Sequence, residues 1–279
     1  MKPKEIPPSL FRALQLQLLS PKNLHLVTAD TAAECIVSLT SIESRLGIVH
    51  LTIRSLLAQT LKPEKVVLWL NDKLKTKIPS SLKKLTGDRF EIRFSDQNSA
   101  HRKLVESLRI YPEKTIITCD DDQMYHKTWL QRLWQDHKDY PRDIIAHEAR
   151  EISWDKDDQW APYKNWPWQK PGLSSPRTIA IGFGGVLYPA NIFDDEILNR
   201  EKYEQVAPRA DDLWFKAMSI RNGITYRRST SPPPKPLVIV RSQKDSLQKH
   251  NVRQDGNLEQ WLKICALYGI QTEQLMDYH

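Results

Sequence analysis

The sequence predicts an α/β protein with a doubly wound, mostly parallel central sheet and helices on both faces. Two observations lead there. Short apolar, β-branched runs alternate with stretches of helical periodicity through about the first 150 residues, which is the pattern of βαβ units with right-handed connections. In addition, 279 residues at 40% hydrophobic, with nine Trp, suffice for a large core. Nine Gly are too few for glycine-rich repeats or collagen-like sequence.

The elements follow in order. Leu10 to Leu19 is apolar but interrupted by Arg12 and two Gln, with no small-residue cleavage site after it. It reads as an amphipathic helix, either packed on the domain or anchored at an interface, and not as a signal peptide. CIVSL (35–39) is a buried strand, and Leu46 to Ala58 carries apolar residues at helical spacing. KVVLWL (65–70) and EIRF (91–94) are strands, 102–110 a helix, TIITC (115–119) a strand, 129–137 a helix and DIIAH (143–147) a strand. After residue 150 the texture changes to a Trp-rich stretch, then a strand-like AIGFGGVLY (180–188), a helix opening at Asp211 and a stiff proline connector (232–236). LVIV (237–240) and a last helix over 258–268, stopped by Gly269, complete the chain. The expected organisation is an N-terminal helical extension (1–34) and one domain over 35–279, with halves 35–150 and 151–279.

Composition excludes some functions and leaves others open. Lys and Arg exceed Asp and Glu by 41 to 34, a net charge of +7. The bases are scattered among acids, which suits a solvated mixed-charge surface as well as it suits a nucleic-acid face or a basic patch facing anionic lipid or a nucleotide diphosphate. The charge alone decides nothing; the expected partners do not include nucleic acid. The three Cys form no CxxC pair and suit a reducing compartment without disulfides or structural zinc. No apolar run reaches membrane-spanning length. GxxxxGK[ST], HExxH and GxSxG are absent.

Asp120-Asp121-Asp122 stands where an apolar strand ends. In an open parallel sheet the ligand crevice lies outside those strand ends. Crowded carboxylates there call for a hard cation such as Mg²⁺ or Mn²⁺, completed by substrate phosphates; the alternative is a solvated acidic turn or helix cap. Asp211-Asp212 opens a helix, where acids are favoured in any case. The Gly182–Gly185 segment marks either a bulge or a close approach of a ligand or another backbone. Trp154, Trp160, Trp166, Trp168 and Tyr163 either stack on sugar faces or pack in the ordinary way. His101, His147 and His250 are structural or surface residues by default, with His250 the one kept in view as a metal ligand.

Taken together, IVSLTS with Arg45, RSLLAQTLKPEKVVLWLND (54–72), HRKLVESLRIYP (101–112), TCDDDQMY (118–125), GFGGVLYP (182–189) and ADDLW (210–214) resemble the GT-A glycosyltransferases. The likeness is to the family 2-like enzymes of bacterial polysaccharide and lipopolysaccharide assembly. It implies the GT-A (Rossmann-like) fold, with residues 35–150 as nucleotide-sugar half and 151–279 as acceptor half. It also implies a nucleotide-diphosphate sugar donor, a glycan acceptor that is lipid-linked, and Mn²⁺ or Mg²⁺. Asp122 and Asp120 would hold the metal, with His250 as a further candidate, and Asp120 and Asp121 would face the nucleotide sugar. Ser41, Arg45, Asp72 and Lys103 would bind the nucleotide and its diphosphate. Gly184, Gly185 and Trp166 would lie on the acceptor side. Asp212, beside Asp211, would be the base of an inverting transfer. The implied location is the cytoplasm, with peripheral contact at the inner face of the plasma membrane. The QxxRW signature is absent and Asp-Asp replaces the commoner Glu-Asp. Two other readings remain: a sugar nucleotidyltransferase, disfavoured by the lack of an early glycine-rich loop, and a non-catalytic carbohydrate- or nucleic-acid-binding module.

Overall fold

The structure, a computed structural model, describes residues 3–28, 31–242 and 255–276. Helices α1 (Ile6–Leu18) and α2 (Pro21–His25) precede β1 (Ala32–Thr40), α3 (Val49–Leu57), β2 (Lys62–Asn71), α4 (Ser80–Lys83), β3 (Phe90–Ser95), α5 (Arg102–Ile110), β4 (Thr115–Thr118), β5 (Gln123–Met124) and α6 (Trp129–Asp139). Then come β6 (Ile144–Ala146), β7 (Ala149–Glu151), β8 (Ser174–Ser175), β9 (Thr178–Ala180), β10 (Val186–Tyr188), α7 (Arg200–Val206), α8 (Asp211–Arg221), β11 (Tyr226–Arg228), β12 (Leu237–Val238) and a last helix, α9 (Gly256–Tyr268).

The main sheet has eight strands in the order β3-β2-β1-β4-β10-β6-β11-β8. β10 runs antiparallel to both β4 and β6, β8 runs antiparallel to β11, and the other pairings are parallel. The sheet is therefore mostly parallel, as the βαβ pattern requires. Its strands are apolar on both faces because both are covered. Ile36, Val67, Ile116 and Ile144 point into one core with Trp214, Phe215 and Trp261. Their neighbours Val37, Leu68, Ile117 and Ile145 point into the other, with Ile53, Leu56, Trp129 and Leu133. Strand direction then places the ends of β1, β4 and β6 along one edge of the sheet.

The run 180–188 departs from the expected single strand. β9 pairs with β7 outside the main sheet, and a tight 3-10 turn over Gly182–Gly184 separates it from β10. Gly185, at φ +99, turns the chain between them in a conformation that favours glycine. LVIV yields only β12, paired to β5. Among the described residues no helix is long and apolar enough to cross a membrane.

Candidate active site

Each candidate side chain is placed by the end of a strand or the start of a helix. β4 ends at Thr118, and the three aspartates follow on the loop outside the sheet edge. Asp121 turns inward. It is 4% exposed, accepts from the Ser41 hydroxyl, and lies 2.5 Å from Arg45 Nη1. Thr52 Oγ1 donates to its carbonyl at 2.8 Å. Arg45 Nη2 also stands 3.5 Å from Asp122 Oδ2, and Arg45 Nε donates to Ser242 O at 3.2 Å. Ser41 thus holds the acidic loop from behind through Asp121, and Arg45 through Asp121 and Asp122. Asp120 is the most open member, its side chain 37% exposed.

Opposite it stands Lys103, buried in the first turn of α5. A cation at a helix N-terminus opposes the helix dipole, and acids around this one compensate. Lys103 Nζ lies 3.2 Å from Asp120 Oδ1 and 3.0 Å from Asp211 Oδ2. Burial works against its charge, but Asp211, Asp120 and Asp212 outweigh that and hold the ammonium pKa well above its ordinary value. Its neighbour Arg102 fixes the same corner, donating to Ser41 O at 2.8 Å and Gln97 O at 2.7 Å.

Asp211 and Asp212 form the first turn of α8, whose N-cap position is Ala210. Burial pushes the Asp211 carboxyl up, but the Lys103 ammonium more than reverses this and holds it below its ordinary value. Asp212 goes the other way. Burial, then the Asp211 charge, push its carboxyl up to about 7, against the pull of Lys103 and a Gly182 N–H that donates to Asp212 Oδ2 at 2.9 Å. A small cavity of about 50 Å³ beside the pair is lined by Tyr163, Arg209 and Asn257, among others. One buried ammonium therefore joins the acids after β4 to the acids that open α8.

The glycine turn closes this site. A Cβ at position 182 would fall 3.0 Å from Asp212 Oδ1 and 3.3 Å from Lys103 Nζ. Tyr125 Oη donates to Phe183 O at 3.1 Å and accepts from the Asp120 N–H at 2.9 Å, and Trp129 Nε1 donates to Gly184 O at 2.7 Å. The acidic loop and the glycine turn are thus one hydrogen-bonded unit.

The other expected residues fall as follows, Trp166 being the one the structure corrects. Trp166 does not face an acceptor: it is 1% exposed, packs against Tyr163 and Trp261, and donates its Nε1–H to Ala161 O at 2.9 Å. Trp168, 46% exposed, is the open ring of that segment. Gly184 and Gly185 serve packing, since a Cβ at 184 would lie 2.8 Å from Glu148 Cγ and one at 185 would enter the Trp129 ring. Asp72 stands on the loop after β2, paired with Lys75 at 2.7 Å. His250 lies outside the described residues. His101 and His147 are buried, both pushed down to about 4 by burial.

Three residues escaped the sequence reading. Tyr125 follows the triplet in a plain loop sequence, and Arg102 sits beside a more conspicuous lysine. Glu148, just past the end of β6, is buried beside Gly184, with Arg228 Nη2 and Lys235 Nζ each 3.6 Å from its Oε2. Its one available signal was an acid two residues after an apolar strand.

Among the described residues no three His, Cys, Asp or Glu converge as a metal cage. Of the triplet Asp120 is the carboxylate open to the cleft, while Asp122 is buried beside Arg45; a hard divalent cation can be held by one or two carboxylates together with substrate phosphates.

A family model described as glycosyl transferase family 2 matches residues 44–212. No curated protein sequence matches the chain. Among solved structures, the chain is similar to a CMP:2-keto-3-deoxy-manno-octonic acid synthetase complexed with CTP, with 14% identity, a TM-score of 0.41, and 71% of this chain and 88% of that one covered. It is also similar to a 4-diphosphocytidyl-2C-methyl-D-erythritol synthase from Anaerococcus prevotii DSM 20548, with 10% identity, a TM-score of 0.45, and 75% and 91% covered.

Proposed function

The chain belongs to glycosyl transferase family 2, and from that premise we propose that it moves a sugar from a nucleotide-diphosphate sugar to a hydroxyl of a lipid-linked glycan acceptor in cell-surface polysaccharide or lipopolysaccharide assembly. The observation that supports this reading is the Lys103 bridge, which sets the acids of the donor side and a carboxyl poised near neutrality into one site.

In this reading Asp212, once deprotonated, takes the acceptor hydroxyl proton while that oxygen bonds to the anomeric carbon. The bond from that carbon to the diphosphate oxygen breaks with its electron pair leaving on the diphosphate, and the anomeric configuration inverts. Asp211 stays ionised against Lys103 and keeps the helix start in place. Lys103 offers its charge beside Asp120, where the diphosphate would lie. Asp122 and Asp120 would hold Mg²⁺ or Mn²⁺, whose chemistry when bound is to neutralise charge on the leaving group. Trp168, which the Arg150 guanidinium and the Lys235 ammonium approach to 4.6 and 4.8 Å of its ring centre, would meet the acceptor with the part of the ring left exposed.

The test is incubation with a panel of nucleotide sugars, with and without divalent metal. Metal-dependent release of nucleoside diphosphate is the expected result. Pyrophosphate release from a nucleoside triphosphate and a sugar phosphate would point to nucleotidyl transfer instead, and no turnover with glycan binding would point to a binding module.

A further inference from the structure

Helix α1 presents its apolar side to solvent. Ser9, Arg12, Ala13 and Leu16 turn toward the protein. Ser9 Oγ donates to Val238 O at 2.7 Å, and Leu16 is fully buried with Leu51, Met124 and Ile239. Arg54 Nη1 donates to Leu16 O and Leu19 O at 3.0 and 2.7 Å. The opposite side carries Ile6, Leu10, Leu14 and Leu18 at four-residue spacing, with Phe11 between them. Leu10, Phe11, Leu14 and Leu18 are 54, 64, 55 and 78% exposed. A continuous apolar strip of this kind marks a contact surface.

The charge beside it is positive. Arg12 lines a cavity of about 280 Å³ with His126, Lys127, Lys235 and the apolar Met124 and Leu237. Over 3–28 the chain carries Lys4, Arg12 and Lys22 against Glu5. We propose that this face docks on an anionic bilayer, with α1 in the interfacial plane, its leucines and Phe11 among the acyl chains, and the flanking cations at headgroup phosphates. An in-plane helix with one apolar face and basic groups beside it is the form such contacts take. The inference uses none of the residues of the proposed chemistry, so either can fail alone.

The test is flotation of the full chain with phosphatidylcholine vesicles, with and without phosphatidylglycerol. Wild type should float with the anionic vesicles and far less with neutral ones. The combined variant Phe11→Ser/Leu14→Ser/Leu18→Ser should bind about 100-fold more weakly or worse, because three large apolar side chains no longer insert. Its thermal midpoint and its nucleoside diphosphate release should be unchanged, the replaced side chains being exposed. Lys127→Glu should weaken binding to anionic vesicles alone. Failure of wild type to float, equal flotation of the triple variant, a parallel loss of midpoint or turnover, or a wild-type dimer that the triple variant converts to monomer would each overturn the proposal.

Discussion

Replacing Asp212 with Asn separates proton transfer from everything else the side chain does. Asn has the same shape and still offers an oxygen to the Gly182 N–H, now 2.9 Å away, so the turn at 182–184 stays in place. What goes is the group that can take a proton. General-base catalysis contributes roughly 10²- to 10⁴-fold, so transfer should slow by that factor, about 3–5 kcal/mol in the barrier. Stability should move the other way. Burial and the Asp211 charge raise the Asp212 carboxyl from 3.8 to about 7, so the folded chain binds that proton more tightly than the unfolded chain does. Wild type therefore loses stability as pH rises from about 4 to about 7 and carries the full cost above that. At about 1.4 kcal/mol per pH unit the cost is on the order of 4 kcal/mol. Asn never ionises, so the variant should gain toward that amount at about pH 8 and nothing at about pH 4. The assays are transfer rate, donor affinity by calorimetry, and urea unfolding across that pH range. Transfer within about tenfold of wild type, donor affinity lost in step with rate, or no stability gain at alkaline pH would refute the reasoning.

Further outcomes follow from the same geometry. The wild-type rate should rise with pH through about 7, because Asp212 acts only when deprotonated. Lys103→Met removes the charge that draws the Asp212 carboxyl down, so the acid limb of the rate profile should move up by about one pH unit or more, with weaker donor binding. Asp122→Asn, assayed at saturating metal, should cost on the order of 10²-fold in turnover; near-normal activity would remove it from the donor site. Trp168→Ala should raise the acceptor KM about fivefold with little change in thermal midpoint, a ring stacked on a sugar being worth about 1 kcal/mol. Trp166→Ala should instead destabilise by about 3–5 kcal/mol with no selective effect on KM, as for any large core truncation.

The sheet was legible because its strands are buried on both faces, which forces continuous β-branched runs such as TIIT and VVLWL between amphipathic helices. Helix α5 runs over the residues its periodicity marks, 102–110. Legibility failed where the backbone, and not the hydrophobic pattern, decides. In AIGFGGVLY the apolar texture continues while Gly185 at φ +99 sends the chain from one sheet to another. The two-residue strands β5, β8 and β12 are too short to show a period. Trp166 and Trp168 share one local sequence, yet the first is core and the second surface, because a loop without a period carries no record of which side faces in. Helix α1 inverts the usual rule: its period is plain, but the apolar face is the one left outside.

The site posed a different difficulty, since five aspartates in two clusters are chemically alike as letters. Their partners sort them. Asp121 and Asp211 are each matched to a cation, Arg45 at 2.5 Å and Lys103 at 3.0 Å; Lys103 holds the Asp211 carboxyl below its ordinary value, whereas burial outweighs Arg45 and raises that of Asp121. Their work is to hold the acidic loop and the first turn of α8. Asp120 shares Lys103 but remains open to the cleft, which is what a donor contact requires. Asp212 has the Gly182 N–H and the distant pull of Lys103 against a buried like charge, and so keeps a proton near neutrality. A base that must accept a proton and release it again is served by that balance, whereas a carboxylate locked in a close ion pair is too weakly basic for the task. The two cations that make this division come from the loop after β1 and the start of α5, far from either cluster in the chain. Spacing within a motif therefore identifies the acids as a set, and only the fold assigns each one its task.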